Sequence, residues 1–373
     1  LPKESKESKK VFERVIELAG IQQTDSDLLL TDYSRRPYDA VPVLRNVQYE
    51  PAMRLAIELA QIPGFDLKTT SQRYYPAASQ SLSHVLGYTG KINANEYEDL
   101  RAKGYRSIDT VGKIGVEKST ENTLRGMTGE IKYEVNAQGS ESSLVSKTEA
   151  IDGSDITLGI DLAFQTFIEE RLRNTLEASN ASRGTVIALD PKTGSVRALV
   201  SLPAFDSNTF AQGISSEEYK GLIEDKDNPL FFRGISGEFA SGSTFKPFVL
   251  FAAMAEGIVS EHTSFLSTGG LRINQWFFPD WKGGGHGITD ARKAIAESVN
   301  TYFYIIGGGF DKITGLGVKR ITDYASRFGF GSPTGIDLPN EADGFLPSKE
   351  WKEETKGERW YVGDTYHVAI GQG

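Results

Sequence analysis

Apolar positions along the chain recur at both helical and strand spacing. Two β-rich runs, 184–190 and 195–201, are joined by a Pro-Lys-Thr-Gly turn and therefore predict an antiparallel hairpin. Helical periodicity predicts amphipathic helices elsewhere. The other predicted elements are helices at 11–19, after Pro51 and at 162–176, and a strand at 41–47.

The composition and the hydrophobic pattern of the chain change near residues 151–154, after a polar, Ser-rich stretch at 138–146. The part before it is irregular and rich in Gly, Tyr and charge, whereas the part after it contains long periodic helices and the predicted hairpin. A length of 373 residues suits two domains better than one. We therefore expect an α+β protein with one domain at 1–151 and a second at 152–373.

Composition excludes several classes of function. The formal net charge of −9 argues against a nucleic-acid binder, which would carry a basic face. The chain contains no cysteine, so disulfides, cysteine catalysis and thiolate metal sites are excluded. We find no apolar run of about 18 or more residues and no signal peptide. We expect either a cytosolic protein or one whose anchor is missing from this chain.

One short motif carries candidate nucleophilic chemistry. Ser243 and Lys246 form the only Ser-x-x-Lys in the chain, just ahead of an apolar run at 248–254. Residues at i and i+3 share a helix face, so we expect a helix that begins at Ser243 and places the amine near the hydroxyl. A desolvated lysine can accept the proton of a serine and so activate it. An N-cap serine followed by a solvated lysine is the alternative.

A second motif, the only Ser-x-Asn in the chain, lies at Ser298 and Asn300 between apolar helical stretches. The hydroxyl of Ser298 could pass a proton between Lys246 and a reacting amine, and the amide of Asn300 could hold a substrate amide. A simple helix-start cap is the alternative for these two residues.

Together the two motifs resemble the active-site serine transpeptidases known as penicillin-binding proteins. The similarity extends over nearly the whole chain and is strongest to the elongation-type members of class B. The further matching segments are 73–76, 84–90, 112–118, 124–126 and 134–137 in the first half, and 190–194, 203–206, 335–339, 363–364 and 370–373 in the second.

The resemblance implies a fold and an activity. The fold would be an elongated α+β pedestal (dimerisation) domain followed by a transpeptidase domain with an antiparallel sheet between helices. Ser243 would attack a peptidoglycan stem peptide that ends in D-Ala-D-Ala and expel the last D-alanine, and an amine of a neighbouring stem would then take the acyl group to form a cross-link. Lys246, Ser298 and Asn300 would complete the catalytic set, and beta-lactams would acylate the same serine.

The resemblance also implies a location and partners. The protein would work at the outer face of the cytoplasmic membrane, held by a single N-terminal anchor that this chain lacks. A membrane-bound polymerising glycosyltransferase of the cell-elongation machinery would be its partner. We expect no cofactor, no metal and no nucleic acid.

The third motif of the family, Lys-Thr-Gly, is not found at its expected place. Lys192, Thr193 and Gly194 spell the triplet but precede Ser243 and lie in the predicted hairpin turn, so we interpret Lys192 as a turn residue. The resemblance places the functional triplet far downstream of Ser-x-Asn. We therefore expect a C-terminal part beyond Gly373 to carry it, and the present chain alone to be almost inactive, because loss of one oxyanion donor costs on the order of 10²–10³ in rate.

Two other functions remain open. The protein could be a non-catalytic interaction module that regulates a glycosyltransferase, or a beta-lactamase or beta-lactam sensor, which shares the Ser-x-x-Lys motif. The long first domain argues against the beta-lactamase. A metal site at Asp280 and His286 is conceivable. We favour a loop at the rim of the active site, because the sequence around them shows no third ligand at a suitable spacing.

Overall fold

The structure, a computed structural model, describes residues 13–14, 17, 43, 47, 49–60, 67–69, 71–76, 79–107, 109–135 and 141–373. The helix predicted at 11–19 and the strand predicted at 41–47 lie mostly outside these residues. The helix predicted after Pro51 is present and begins slightly earlier, at Tyr49.

Helices account for most of the regular structure in this part of the chain. Two short 3₁₀ helices, Arg101–Lys103 and Gly242–Phe245, accompany the α-helices. The α-helices are Tyr49–Leu59, Leu82–Leu86, Ala94–Leu100, Gly115–Ser119, Glu121–Leu124, Leu162–Ala178, Ser207–Gln212, Ser216–Glu224, Arg233–Ser236, Lys246–Ala255, Ala291–Ala296, Asn300–Gly308, Gly317–Arg327, Lys349–Lys356 and Val362–Ala369.

The strands within the described ranges pair two by two, always antiparallel. The pairs are Thr89–Lys91 with Thr110–Gly112, Glu130–Val135 with Glu141–Thr148, Gly184–Leu189 with Val196–Leu202, Phe265–Ser267 with Gly287–Thr289, and Gly270–Ile273 with Trp276–Pro279. The predicted hairpin is the third of these pairs. The mixed helix and sheet content confirms the predicted α+β class.

The chain divides into two compact units. The first is Leu1–Tyr75 with Asn208–Ile214, and in it the Asn208 side chain accepts from the Tyr75 backbone N–H at 2.9 Å and donates to the Tyr75 carbonyl at 2.8 Å. The second is Pro76–Ser207 with Ser215–Gly373. The boundary predicted after Ile151 falls inside the second unit and stays a prediction.

The main core of the second unit is helical. The Asn300–Gly308 helix is buried from Thr301 to Gly307, and its neighbours in the core include the Lys246–Ala255 and Val362–Ala369 helices. A Cβ on Gly307 would lie 2.4 Å from the Cβ of Ala369, and one on Gly308 would lie 2.3 Å from the ring of Tyr366. The two glycines therefore permit the close approach of these helices.

The helix predicted at 162–176 is observed as Leu162–Ala178, capped by the Asp161 carboxylate, which accepts from the Phe164 N–H at 3.0 Å. Its buried residues are polar: Gln165 is fully buried and Glu169 nearly so. Gln165 bonds to both the N–H and the C=O of Leu199 in the hairpin. The side of this helix that faces the hairpin is thus held by hydrogen bonds as well as by packing.

A membrane-crossing helix would need a long apolar stretch. Among the described residues, none of the helices is both long and apolar enough to cross a bilayer.

Candidate active site

Ser243 lies on a tight turn rather than at the start of an α-helix. The segment Gly242–Phe245 is 3₁₀, and the α-helix begins at Lys246, three residues later than predicted. The Lys246 N–H bonds to the Ser243 carbonyl, an i to i−3 contact. Pro247 has no N–H, so it cannot make the α-helical bond to that same carbonyl. The prediction was therefore right about the helix and wrong about its first residue.

Gly242 supports the turn through its backbone conformation. Its φ is +57°, a backbone conformation that residues with a Cβ rarely adopt. Its N–H donates to the Gly371 carbonyl at 2.8 Å. The result is a fixed turn on which Ser243 is exposed while Lys246, three residues on, is 1% exposed. The hydroxyl is accessible from outside and the amine is not.

The Lys246 ammonium makes three hydrogen bonds. It donates to the Ser298 carbonyl at 2.8 Å, to Ser298 Oγ at 2.9 Å and to Asn300 Oδ1 at 2.6 Å. A protonated lysine has three N–H donors. All three are therefore used, and two of the acceptors, a carbonyl and an amide oxygen, can only accept.

Ser298 connects the lysine to the exposed serine. Its hydroxyl donates to Ser243 Oγ at 2.9 Å, so the hydrogen-bond chain runs from Lys246 through Ser298 to Ser243. The structure thus brings together all four residues predicted for the site. We expected Lys246 to contact the Ser243 hydroxyl directly; its three hydrogen bonds instead go to Ser298 and Asn300.

The backbone of Ser298 is held in an unusual conformation. Its φ is +51°, in the left-handed region that is rare for residues other than glycine. Such conformations persist where the surroundings fix them, and they cluster at functional sites. Here the neighbouring Val299 is fully buried and anchors the turn, which directs both the carbonyl and the hydroxyl of Ser298 toward Lys246.

A carboxylate from a distant loop meets the start of the Asn300–Gly308 helix. Asp280, buried in the loop after Trp276–Pro279, accepts from the Asn300 N–H at 2.8 Å and from the Thr301 N–H at 3.1 Å. The sequence alone does not assign Asp280 to this role. Its only signal is an acidic residue in a loop, which does not say which helix that residue caps.

The pKa values of Lys246 and Asp280 shift in the directions that favour proton transfer. Burial lowers the pKa of Lys246 to about 8, and the negative charge of Asp280 opposes this shift. Burial alone would raise the pKa of Asp280, but hydrogen bonds from Thr301 and Asn300 outweigh it, so the pKa of Asp280 is lower than usual. The aspartate therefore stays ionised, while part of the lysine population is neutral near neutral pH.

The loop that carries Asp280 also contains His286. Its Nδ1 lies 2.7 Å from Glu297 Oε2, and its Nε2 lies 3.8 Å from Asp280 Oδ1. Trp281 packs edge-on against the His286 ring with centroids 5.3 Å apart. The described residues contain no cluster of three or more His, Cys, Asp or Glu side chains that could hold a metal.

Lys192 lies in the turn of the hairpin, as predicted. Its N–H donates to Asp190 Oδ1 at 2.9 Å, and the Asp190 N–H closes the turn onto the Ser195 carbonyl at 2.9 Å. The Lys192-Thr193-Gly194 triplet therefore has a local structural explanation.

Two protein-family models match successive parts of the chain. The penicillin-binding protein dimerisation domain matches residues 2–158, and the penicillin-binding protein transpeptidase domain matches residues 184–372. Among curated proteins, the peptidoglycan D,D-transpeptidase MrdA of Escherichia coli K12 is 35% identical over 362 residues, which cover 95% of this chain and 55% of that protein. The chain thus spans about half the length of the curated relatives it matches.

Solved structures agree with the sequence comparison. The complex between penicillin-binding protein PBP2 and MreC from Helicobacter pylori matches with a TM-score of 0.82 and 28% identity, over 100% of this chain and 68% of that one. A chain from a peptidoglycan synthase complex that coordinates polymerization and crosslinking matches with a TM-score of 0.70 and 31% identity, over 93% and 61%. The chain therefore belongs to the class B penicillin-binding proteins, in which a dimerisation domain precedes a transpeptidase domain.

Proposed function

We propose that the protein containing these residues is a peptidoglycan D,D-transpeptidase that cross-links stem peptides during cell-wall elongation. The observation that carries the proposal is the hydrogen-bond chain from buried Lys246 through Ser298 to exposed Ser243. It supplies what an acyl-transfer enzyme needs, an accessible hydroxyl connected to a base that water does not reach.

When Lys246 is neutral, the hydrogen bonds from Ser243 through Ser298 to Lys246 all point toward the amine. A neutral amine has two N–H donors and one lone pair, and the Ser298 carbonyl and Asn300 Oδ1 each need a donor. The lone pair then faces the Ser298 hydroxyl. Ser298 donates to Lys246 and accepts from Ser243, which is the arrangement that removes the proton of the nucleophile.

Acylation follows from that arrangement. Ser243 Oγ forms a bond to the carbonyl carbon of the penultimate D-alanine, while its proton passes through Ser298 to Lys246. The C–N bond to the last D-alanine then breaks, and the proton returns through Ser298 to the leaving nitrogen. The product is an ester on Ser243 and a free D-alanine.

Transfer to the acceptor repeats these steps in reverse. The amine of a neighbouring stem peptide attacks the ester carbon and gives up a proton through Ser298. The C–O bond to Ser243 breaks, Ser243 Oγ recovers a proton, and a new amide cross-link is formed. That Asn300 also holds a substrate amide stays a prediction.

Labelling of the full-length protein with a fluorescent penicillin tests the proposal. We expect one covalent adduct that peptide mapping places on Ser243, that Ser243→Ala abolishes and that Ser241→Ala, a matched change two residues away, leaves intact. Slow release of the adduct would support a transpeptidase, whereas rapid turnover would indicate a beta-lactamase. Absence of any adduct would leave only the interaction-module hypothesis.

We also propose that a membrane-bound polymerising glycosyltransferase is the partner, at the outer face of the cytoplasmic membrane. One matched structure comes from a peptidoglycan synthase complex that coordinates polymerization and crosslinking, which supports a polymerising partner. Another is a complex with MreC, which supports only that such proteins work in assemblies. Co-purification from membranes with a glycosyltransferase of the cell-elongation machinery is the expected result. Recovery of the protein without such an enzyme would count against the proposal.

A further inference from the structure

The Asp280 carboxylate accepts four hydrogen bonds, three of them from the start of the helix that carries Asn300. Oδ1 accepts from the Asn300 N–H at 2.8 Å, and Oδ2 accepts from the Thr301 N–H at 3.1 Å. Oδ2 also accepts from the hydroxyls of Thr301 at 2.6 Å and Ser267 at 3.1 Å. The first N–H groups of a helix have no partner within the helix. A carboxylate from a loop 20 residues earlier in the chain supplies that partner here.

The residue before Asp280 holds the side chains of the same helix. The Pro279 carbonyl accepts from the Tyr304 hydroxyl at 3.1 Å and from Asn300 Nδ2 at 3.5 Å. With its Nδ2 on a carbonyl, the Asn300 amide presents Oδ1 to Lys246 at 2.6 Å. The opposite orientation would place an NH₂ group against an amine that is itself a donor. Pro279 and Asp280 together thus fix both the backbone and the amide of Asn300.

The loop around Asp280 is itself anchored. The Asp280 N–H donates to the Gly269 carbonyl at 2.9 Å, and Ser267 Oγ also accepts from the His286 N–H at 3.2 Å. The carboxylate is therefore not a mobile counter-charge. Its position is set by the Trp276–Pro279 strand that directly precedes it and by its hydrogen bond to Ser267, which ends the Phe265–Ser267 strand.

We propose that Asp280 is the positioning residue of this active site. Its carboxylate fixes the start of the Asn300–Gly308 helix so that Asn300 Oδ1 and the Ser298 carbonyl take two hydrogens of Lys246 and leave the third position to the Ser298 hydroxyl. The inference rests on the proposed transpeptidase chemistry, because it explains how the proton relay acquires its direction. Asp280 does not touch the nucleophile and acts only through Asn300, Thr301 and its charge.

The charge of Asp280 gives a readout that a purely structural residue would not change. A negative charge near Lys246 stabilises its protonated form, in opposition to burial. The other titratable groups near Asp280 are His286, whose Nε2 lies 3.8 Å from Oδ1, and Tyr304, whose pKa is raised by burial and by the Asp280 charge. Glu297 contacts the other ring nitrogen of His286. Removal of the Asp280 charge should therefore lower the pKa of Lys246, whereas loss of packing alone would expose the amine and raise it.

The experiment compares Asp280→Asn with Asp161→Asn in penicillin acylation from pH 5.5 to 9.5. Asp161 is also an aspartate helix cap but belongs to the Leu162–Ala178 helix. For Asp280→Asn we expect the plateau rate to fall ten- to a hundredfold and the midpoint of the pH profile to move below that of the unmodified protein. For Asp161→Asn we expect both to stay unchanged. An unchanged midpoint in Asp280→Asn would overturn the proposal.

Two further measurements test the proposal if Asp280→Asn does not fold or if the unmodified protein is not acylated. Thr301→Val removes one hydroxyl donor to Asp280 and keeps the carboxylate, so we expect a two- to fivefold lower rate even if Asp280→Asn does not fold; an unchanged rate would count against the proposal. NMR of ¹³Cε-labelled lysine, with Lys246→Arg to assign the signal, measures the pKa of Lys246 without acylation. If the unmodified protein is not acylated, the proposed function fails, and this titration in Asp280→Asn still decides the positioning role.

Discussion

Two polar networks in the second unit are built from similar side chains. They differ in whether their hydrogen bonds can reverse and so transfer a proton. One joins the Leu162–Ala178 helix to its neighbours, and we call it the helix network: Gln165, Glu169, Ser79 and Ser81. The other surrounds the amine of the active-site motif, and we call it the lysine network: Lys246, Ser298, Asn300 and Asp280. Both contain a buried ionisable group, at least one serine and a side-chain amide.

The hydrogen bonds that Gln165 and Glu169 make to the backbone in the helix network have a single arrangement. Gln165 Oε1 accepts from the Leu199 N–H at 2.7 Å, and Nε2 donates to the Leu199 carbonyl at 2.9 Å. Because a backbone donor and a backbone acceptor face the two ends of the amide, it cannot reverse. Glu169 accepts from Ser79 Oγ and from the Ser81 N–H. In the helix network only the Ser79 and Ser81 hydroxyls, 3.1 Å apart, can exchange donor and acceptor. The network contains no neutral amine that could accept a proton from them, so we assign it a structural role.

The lysine network has two arrangements. With Lys246 protonated, the amine donates to Ser298, which donates to Ser243; with Lys246 neutral, both hydroxyl bonds reverse. The Ser298 carbonyl and Asn300 Oδ1 keep their donors in both states. The lysine network can therefore transfer a proton for two reasons. The hydroxyls of Ser298 and Ser243 can rotate, and two fixed acceptors hold the other hydrogens of Lys246.

Burial disfavours the charged form in both networks, but only in the lysine network does it decide the net shift in pKa. It raises the pKa of Glu169, but hydrogen bonds from Ser79 and Ser81 outweigh it, and the net pKa of that carboxylate is lower than usual. For Lys246, burial is the larger effect and lowers the pKa to about 8. The structural acid is therefore kept charged, and the pKa of the proposed base is brought close to physiological pH, where part of its population is neutral.

Among the changes that test this comparison, removal of the Ser298 hydroxyl should slow acylation the most. Ser298→Ala breaks the connection between Lys246 and Ser243, so we expect acylation by penicillin to slow by roughly 10²–10⁴, the usual contribution of general base catalysis. Ser298→Gly removes the same hydroxyl and suits the positive φ better. Equal loss of rate in both variants, with Ser298→Gly the more stable to heat, would separate the relay from folding. Acylation within threefold of the unmodified protein would refute the relay.

The pH dependence of acylation is the second test. The reactive form has neutral Lys246, so below the pKa of about 8 the rate should rise about tenfold per pH unit and then level off above it. The sign follows from the base role, because protonation occupies the lone pair that Ser298 must meet. Stopped-flow labelling between pH 5.5 and 9.5 measures the profile. A rate that falls with increasing pH over this range would exclude lysine as the base.

A change in the helix network should alter stability and leave the chemistry intact. Gln165→Leu leaves the backbone groups of Leu199 without their partner, at a cost of about 1–3 kcal/mol in the free energy of unfolding. Urea denaturation gives this value, and acylation per folded molecule should stay unchanged. Arg173→Ala is the control, since Arg173 is half exposed in its ion pair with Glu169, and an exposed pair contributes about 1 kcal/mol or less. A slower acylation in Gln165→Leu would show that the two networks are coupled.

The local elements of the fold could be predicted from the sequence. The Leu162–Ala178 helix and the Gly184–Leu189/Val196–Leu202 hairpin follow from helical periodicity and from two β-rich runs around a turn. The prediction missed which face of the helix would be buried, because periodicity registers apolar residues. Gln165 and Glu169 are buried by hydrogen bonds to partners distant in the chain, and periodicity contains no information on those partners.

The sequence by itself determined the residue types of the site: a single Ser-x-x-Lys, a single Ser-x-Asn, and the hairpin turn that accounts for Lys192. Only the tertiary structure decided how they connect. Lys246 meets Ser298 across 52 positions and Asp280 meets Asn300 across 20, and such contacts depend on how helices and loops pack. Spacing along one helix turn can place an amine near a hydroxyl. Whether the amine is buried, which acceptors fix its hydrogens and which carboxylate holds those acceptors are settled by residues that only the fold brings together.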